Sequence, residues 1–509
     1  MEVPDTPENR SSCICPRCPS FPDGSCRGEV LYCSTGASAC GIPAMGCICT
    51  GCPVYDDYHL GTLYFCDKRE LPGLGRKIRK QRAGESDAIY RSMAGIKVVA
   101  ETGEGITAAM GSLKPMPFTL DDLHFIPAQV HRIPLDRDDP VSTGVTLGPA
   151  AKRPLVLPTP VLVSGMSYGG VSRHLKLAIA GAAARGGFGF NTGEGGTLDE
   201  ELATAPGTLI MQYSTGRFGI TEERLKRAAA VEIRFGQGAY PGKGSYLPAG
   251  KITPDIARIR GLKEGESAYS PAHHPDMTNP EEIGKKVAWM KSLTGGVPVG
   301  AKIGCGRVEE DVAVLARAGF DFIALDGFGG GTGATALVVR ENVGIPLAAA
   351  LPRADRALRA LGVRDRVTLI GGGGLRTSAD FAKCLALGAD AVYIGTAAMI
   401  AVNCEQYRIC HTGRCPTGVT TQNPVLEAQL DVEKGIGRLA NFIRVSTGEI
   451  AAFARIAGKH RVGDLDRSDL VALNRDLADI AGCAWLGGAD YSRRDRSAAT
   501  PVAGPGTKE

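Results

Sequence analysis

Three cysteines in the C-terminal third of the chain have the spacing of a metal-cluster loop. Five residues separate Cys404 from Cys410, four separate Cys410 from Cys415, and Pro416 follows directly. Thiolates are soft ligands that select iron, zinc or copper(I), and cysteine runs closed by a proline are typical of iron–sulfur sites. Because no fourth cysteine lies nearby, we predict a [3Fe–4S] cluster on these three thiolates, with buried free cysteines as the structural alternative.

A second, denser group holds ten of the 16 cysteines. The motif Cys-x-Cys-x-x-Cys-Pro that begins at Cys13 begins again at Cys47, so the segment contains an internal repeat. A reducing compartment disfavours disulfides, and the repeat favours two metal centres. One or two [4Fe–4S] clusters would make the segment a built-in electron relay, whereas zinc sites would make it a structural or docking piece, and the sequence leaves both open. The ligands that we predict are Cys13, Cys15, Cys18, Cys26, Cys33, Cys40, Cys47, Cys49, Cys52 and Cys66.

Glycine runs form a third group of candidate binding residues. They lie at Gly329–Ala334, at Gly371–Gly374 and at Gly395, each directly after an apolar run. Glycine lets backbone N–H groups approach phosphate oxygens, and (β/α)8 barrels often bind phosphate after their last two strands. We predict that these loops hold flavin mononucleotide (FMN), although tight turns alone would also explain them. The predicted contacts are Gly330, Gly331, Gly372, Gly373, Gly395 and Thr396.

Lys302 ends an apolar run further upstream. A cation at that position could lie beside the flavin ring and stabilise the negative charge of the reduced form. The structural alternative is an exposed lysine at the end of a strand.

These loops need a scaffold, and short β-rich runs alternating with helical patterns supply one. Eight such strands with crossover helices predict an α/β fold that closes as a TIM barrel. The strands are predicted at 161–164, 187–191, 208–213, 231–235, 297–303, 320–325, 367–370 and 391–394. The gap of about 60 residues between the fourth and fifth strands predicts a functional loop at the catalytic face.

The predicted organisation has five parts. A cysteine-rich module at 1–70 precedes a linker and barrel-entry segment at 71–150. The barrel with its iron–sulfur loop takes 151–424, amphipathic helices take 425–490, and a disordered tail takes 491–509.

Composition limits the partners. The net charge of +4 argues against nucleic acid. The sequence lacks an apolar run of membrane-spanning length, and its N-terminus does not resemble a secretory signal. We therefore expect a soluble, cytoplasmic protein.

Several sequence blocks resemble the FMN domain of glutamate synthases, over roughly residues 90 to 470. The cysteine block is the most specific of them. They are the blocks at 164–170, with Gly165, Met166 and Ser167, and at 191–196, 212–219, 237–239, 330–334, 371–376 and 404–422. The chain resembles the stand-alone, archaeal-type subunit with an added N-terminal module. The resemblance implies reduction of 2-iminoglutarate, formed from 2-oxoglutarate and ammonia, with electrons from ferredoxin or an NAD(P)H-oxidising subunit and ammonia possibly from a separate glutaminase subunit.

The resemblance also implies roles for individual residues. Glu194 matches an acid/base glutamate, and Arg260 matches an arginine that binds a substrate carboxylate. Gly165, Met166, Ser167, Gln212, Lys302, Gly373, Gly395 and Thr396 match flavin contacts.

Two positions depart from the family pattern. Tyr240 stands where the family has a lysine, Tyr246 stands where it has a glutamine, and Lys243 is a candidate for the missing charge. A related enzyme that acts on another amine or 2-oxo acid, such as an N-methylglutamate synthase subunit, therefore remains open. So does an electron-transfer flavoprotein subunit without amine chemistry.

Overall fold

A computed structural model describes most of the chain. The described residues are 3–22, 26, 28–42, 47–58, 60, 65–67, 87–331 and 335–488. The predicted tail at 491–509, and residues 332–334 of the glycine run Gly329–Ala334, lie outside them.

Eight parallel strands close into a barrel and follow one another around it in chain order, so the predicted TIM barrel is confirmed. Most strand residues are buried, as expected for a parallel sheet covered by helices. The strands, labelled β1 to β8, are Val161–Val163, Phe190–Asn191, Leu209–Tyr213, Ala230–Arg234, Val299–Gly304, Phe322–Asp326, Thr368–Gly372 and Ala391–Ile394. Each begins within three residues of its predicted position.

Helices follow the strands on the outside of the barrel. They are Arg173–Gly186, Asp199–Thr204, Glu222–Lys226, Pro280–Leu293, Val308–Arg317, Leu347–Ala360, Ser378–Ala386 and Thr396–Val402. Ser172 caps the first, since its side chain accepts a hydrogen bond from the N–H of Leu175. Val432–Ile456, the longest helix among the described residues, packs on Arg173–Gly186. In the chain it lies between the short helices Pro424–Glu427 and Arg475–Ala481.

The lower, N-terminal end of the barrel is closed by an antiparallel hairpin. Its strands, Val145–Leu147 and Leu155–Leu157, share a buried apolar cluster with Leu162 and Phe322 of the barrel interior. This packing seals one end, so the carboxyl ends of the strands form the open face, here called the rim.

The long segment between β4 and β5 lies over the rim. It contains the two-stranded hairpin Tyr246–Leu247 with Ala268–Tyr269 and the helix Pro254–Arg260. Residues of this segment line a rim cavity, which agrees with the predicted functional loop.

Smaller elements complete the fold. A three-stranded sheet joins Leu123–Phe125, Leu470–Ala472 and Ala484–Trp485. Thr107–Ala108 pairs with Thr335–Ala336, and the helices Asp87–Thr102 and Leu337–Arg340 flank this pairing. No helix in the described ranges is both long enough and apolar enough to cross a bilayer.

The N-terminal module consists of short helical turns around a small core. The helical segments are Pro7–Ser12, Cys15–Arg17, Tyr32–Thr35, Cys49–Gly51, Pro53–Asp57 and Phe65–Asp67. Its fully buried apolar residues include Leu31 and Val54. One prediction is corrected here: Cys26 and Cys40 form a disulfide and are not available as metal ligands. Sequence spacing does not reveal which two of ten cysteines lie close enough to bond.

Candidate functional site

Two adjoining cavities open at the rim, and together they collect the predicted flavin contacts with Glu194 and Arg260. The first has a volume of about 700 Å³ and the second of about 840 Å³. Gly165, Met166 and Gln237 line both, so the two spaces share a wall. The first cavity is lined by Lys302, Gly330, Gly331, Gly372, Gly373, Gly395 and Thr396. The second is lined by Ser167, Glu194, Gln212 and Arg260.

The glycine loops of the first cavity approach one another too closely for side chains. A Cβ on Gly330 would lie 2.5 Å from the Cα of Gly373. Gly373 itself has a φ of +120°, and a Cβ there would lie 2.6 Å from the carbonyl oxygen of Gly327. The cavity wall is therefore bare backbone, which fits a phosphate-bearing cofactor.

Lys302 is buried in the first cavity, with 3% of its surface exposed. Its Nζ donates to Oγ of Ser164 at 3.0 Å and lies 3.4 Å from a carboxylate oxygen of Asp326. An exposed strand-end lysine, the structural alternative, is thus excluded. The ammonium group lies at the rim between β1, β5 and β6.

Glu194 lies in the loop after β2 and is held by three neighbours in the second cavity. Arg234, the last residue of β4, donates to Oε2 of Glu194 at 2.7 Å. The hydroxyl of Tyr240 donates to Oε1 at 3.3 Å, and that of Ser270 donates to Oε2 at 3.4 Å. Burial, followed by the charge of Glu194, raises the pKa of Tyr240, so the phenol stays protonated as a donor. The carboxylate is therefore fixed in place while its edge lines the cavity.

Two further cations line the second cavity. Arg260 donates from Nε and Nη2 to the carbonyl oxygen of Tyr168, at 3.2 and 2.6 Å, which orients the guanidinium. Lys251 donates from Nζ to the carbonyl oxygen of Cys410 at 2.5 Å, and burial lowers its pKa. Lys243, the sequence candidate for the missing charge, is exposed and does not line the cavity. The extra charge in the cavity is that of Lys251.

The imidazole of His274 is hydrogen-bonded to the backbone of Arg234. Its Nε2 donates to the carbonyl oxygen of Arg234 at 3.0 Å, and its Nδ1 accepts from Nη2 of Arg217 at 3.1 Å. This pattern requires the neutral imidazole. Burial and then the Arg217 charge lower the pKa of His274 to about 4.

The predicted cluster loop follows the helix that begins beside Gly395, one of the predicted flavin contacts. Helix Thr396–Val402 starts at the rim and ends two residues before Cys404, and Cys410 lines the second cavity. Cys404 and Cys415 are buried. Burial raises the pKa of Cys404 to about 12, and the neighbouring Cys410 and Cys415 thiols add to it, so the three lie near one another.

The backbone of this loop is strained. Gln406 and Arg408 have φ values of 54° and 59°, in the left-handed region that non-glycine residues rarely adopt. Within the described residues, no three His, Cys, Asp or Glu side chains converge on a point where one metal ion could bind. A cluster differs from a single ion because each thiolate binds a different iron atom, so the three sulfurs need not converge.

The N-terminal module has a cavity of its own. It has a volume of about 530 Å³, and eight of the ten predicted ligands line it. They are Cys13, Cys15, Cys18, Cys33, Cys47, Cys49, Cys52 and Cys66.

Sequence reasoning missed Arg234, Ser270, Lys251 and His274. Arg234 carried a usable signal, because a polar residue at the carboxyl end of a barrel strand lies at the catalytic face. The other three lie in the long β4–β5 segment, whose path over the rim depends on tertiary packing.

Comparison with known proteins identifies two regions. A family model described as "Conserved region in glutamate synthase" matches residues 91–460. A second, described as "Protein of unknown function (DUF2769)", matches residues 13–67.

Individual relatives agree with the first match. The chain is 38% identical over 421 residues to a "Glutamate synthase large subunit-like protein" of Rhizobium meliloti, covering 78% of this chain and 95% of that protein. It is 41% identical over 339 residues to an "Archaeal glutamate synthase [NADPH]" of Methanocaldococcus jannaschii, covering 65% and 66%. It is 43% identical over 298 residues to an "Archaeal-type glutamate synthase [NADPH]" of Thermotoga neapolitana, covering 58% and 59%. The similarity thus spans nearly all of the first relative and about three fifths to two thirds of the other two.

Proposed function

The chain belongs to the glutamate synthase family, and from this premise we propose that it reduces 2-iminoglutarate, formed from 2-oxoglutarate and ammonia, to glutamate. It is an oxidoreductase by its family. The observation that carries the proposal is the shared wall of the two cavities. A site that fits a flavin adjoins a site with one fixed carboxylate and two cations.

The first cavity fits FMN. The bare backbone of Gly330, Gly373 and Gly395 would hold the phosphate, and Lys302 would lie where a cation stabilises negative charge on the reduced ring. FMN, when bound, supplies a hydride to the imine carbon. The chain's own residues orient the substrate, exclude water and move protons.

The second cavity fits a dicarboxylate. Arg260 and Lys251 supply two positive charges on its wall, which suits two carboxylates of a 2-oxo acid. Glu194 is held by Arg234 and Tyr240 within the same space, so it can move a proton to or from the nitrogen as the imine forms. These contacts argue against a subunit that only transfers electrons, because such a subunit needs no fixed acid in its pocket.

The cysteines complete the proposed cofactor set. Cys404, Cys410 and Cys415 would hold a [3Fe–4S] cluster, which supplies one-electron transfer, and the N-terminal cysteines would hold further iron–sulfur or zinc centres. The electrons would come from ferredoxin or an NAD(P)H-oxidising partner. Ammonia would be free or delivered by a separate glutaminase subunit. We expect a cytoplasmic location.

The test is an anaerobic assay of the purified full chain with reductant, ammonia and 2-oxoglutarate. We expect glutamate, together with bound FMN. A substrate panel that adds methylamine and other 2-oxo acids tests the alternative substrates that Tyr240 and Tyr246 leave open. Faster turnover of methylamine than of ammonia would replace the proposed substrate, and flavin reduction without any amine product would refute the amine chemistry.

A further inference from the structure

The N-terminal cavity is enclosed almost entirely by thiols and apolar side chains. Its wall consists of eight cysteines together with residues such as Ile14, Ile48 and Phe21. The disulfide pair, Cys26 and Cys40, is absent from that wall. Eight thiols is the number that two four-iron clusters require, at four cysteines each.

The internal repeat relates these thiols in pairs. The spacing is 34 residues from Cys13 to Cys47, from Cys15 to Cys49 and from Cys18 to Cys52. It is 33 residues from Cys33 to Cys66. A repeat of this kind predicts two equivalent sites. The repeat alone does not determine which four thiols share a site.

Contacts among the thiols divide them into two sets. Each set contains one cysteine from the motif of the other repeat. In the first set, Cys13 and Cys33 both pack against the small buried apolar cluster that contains Cys52. Cys15 is the fourth member of this set, because its thiol is hydrogen-bonded to that of Cys13.

The second set mirrors the first. The thiols of Cys47 and Cys49 are hydrogen-bonded, and the sulfur of Cys18, from the other repeat, accepts a hydrogen bond from the backbone N–H of Ile48, which lies between them in the chain. Cys66 is the repeat counterpart of Cys33 and lines the same cavity. The third cysteine of each motif therefore belongs with the first two of the other motif.

The arrangement favours clusters over zinc. The eight thiols surround a volume, as they do when each binds a different iron atom of a cluster, whereas a tetrahedral zinc site gathers four sulfurs about 2.3 Å from one point. A backbone N–H also points at sulfur here, since Leu31 donates to Sγ of Cys13 at 3.3 Å. Hydrogen bonds to sulfur change the reduction potential of an iron–sulfur cluster.

The module touches the barrel at the cluster loop. Thr50, in the turn Cys49–Gly51, is hydrogen-bonded through its Oγ1 to the hydroxyl of Tyr407. Tyr407 lies between Cys404 and Cys410 in the chain. The contact therefore joins the cysteine-rich module to the middle of the predicted cluster loop.

We propose that Cys13, Cys15, Cys33 and Cys52 hold one [4Fe–4S] cluster, that Cys18, Cys47, Cys49 and Cys66 hold another, and that electrons leave the module beside Tyr407. In each transfer a reduced module cluster loses one electron and the loop cluster gains it, and no atom or proton changes place. A ferredoxin or NAD(P)H-oxidising protein restores the module. The direction of flow rests on the proposed function, whereas the two metal sites do not.

The test is metal, sulfide and flavin analysis of the anaerobically purified full chain, wild type and variants. We expect about 11 iron atoms per chain, from two four-iron clusters and one three-iron cluster, and little zinc. Cys33→Ala and Cys66→Ala should each lose about four iron atoms and keep flavin, which reports a folded barrel. Cys26→Ala is the matched control and should keep all its iron.

Three results would overturn the assignment. They are zinc in place of module iron, equal iron loss in Cys26→Ala and Cys33→Ala, or full iron retention in Cys33→Ala. Glutamate formation by a chain with zinc and about three irons would defeat this inference alone. Full iron without glutamate formation would defeat the proposed function alone.

Discussion

Arg234 and Glu194 form a buried ion pair at the rim, with Nη2 and Oε2 2.7 Å apart. Side-chain exposure is 4% for the arginine and 10% for the glutamate. A buried pair is costly to desolvate and adds little net stability. Because Glu194 lines the cavity, the pair serves to orient its carboxylate there.

Glu194→Gln should remove the group that moves the proton while leaving flavin bound. The amide keeps the size and one acceptor oxygen but cannot take up a proton, and general acid–base catalysis contributes about 10²–10⁴-fold. We expect kcat to fall within that range with flavin content unchanged. Glu222→Gln, on the exposed start of helix Glu222–Lys226, is the control. Unchanged kcat in Glu194→Gln would remove the residue from the mechanism.

Gly330→Ala should weaken flavin binding. The new Cβ would lie 2.5 Å from the Cα of Gly373, so the two loops must separate. Overpacking of this kind costs about 1–3 kcal/mol, which corresponds to roughly 5- to 150-fold in affinity. Titration of the flavin-free protein with FMN, followed by fluorescence, measures the effect. Gly207→Ala, where a Cβ meets nothing within 4 Å, should bind like wild type.

The sequence was sufficient for the barrel but not for the whole site. Apolar strands such as Val161–Val163 are recognisable because both of their faces are buried, and glycine runs mark the loops that follow them. The extra charge in the second cavity was assigned to Lys243 by proximity in sequence, whereas the structure brings Lys251 there. The disulfide and the grouping of the thiols likewise depend on distances between segments remote in the chain. Local patterns do not encode such distances.

Lys251→Met should raise KM for 2-oxoglutarate. The substitution keeps the length of the side chain and removes its charge, and a hydrogen bond to a charged group contributes about 1.5–3 kcal/mol, roughly tenfold or more in KM. Because burial lowers the pKa of Lys251 below its ordinary value of 10.5, KM of the wild type should begin to rise with pH earlier than for an exposed lysine. Lys243→Met, at an exposed position, serves as the control. Equal KM values for the two variants would show that Lys251 does not bind substrate.

His274 should make the protein less stable in mild acid. Its pKa is about 4 when folded, against an ordinary value of 6.5, so between these values the unfolded chain binds more protons. Stability should therefore be complete above pH 6.5 and decrease as the pH falls toward 4. Thermal unfolding of His274→Gln at pH 7 and pH 5 should show a smaller difference in Tm than the wild type. The exposed His131→Gln should leave the wild-type difference unchanged.

Tyr407→Phe should slow electron entry without removing a cofactor. The substitution deletes the hydroxyl that is hydrogen-bonded to Thr50 and keeps the ring, so the module loses a contact at the point where it meets the cluster loop. We expect unchanged iron and flavin contents and a several-fold slower reduction of the flavin when the donor is a protein, measured by stopped-flow absorbance. Tyr58→Phe is the matched control, because the hydroxyl that it deletes accepts a hydrogen bond from Asn9 within the module. If both variants reduce their flavin at the wild-type rate, electrons reach the barrel by a route that does not need this contact.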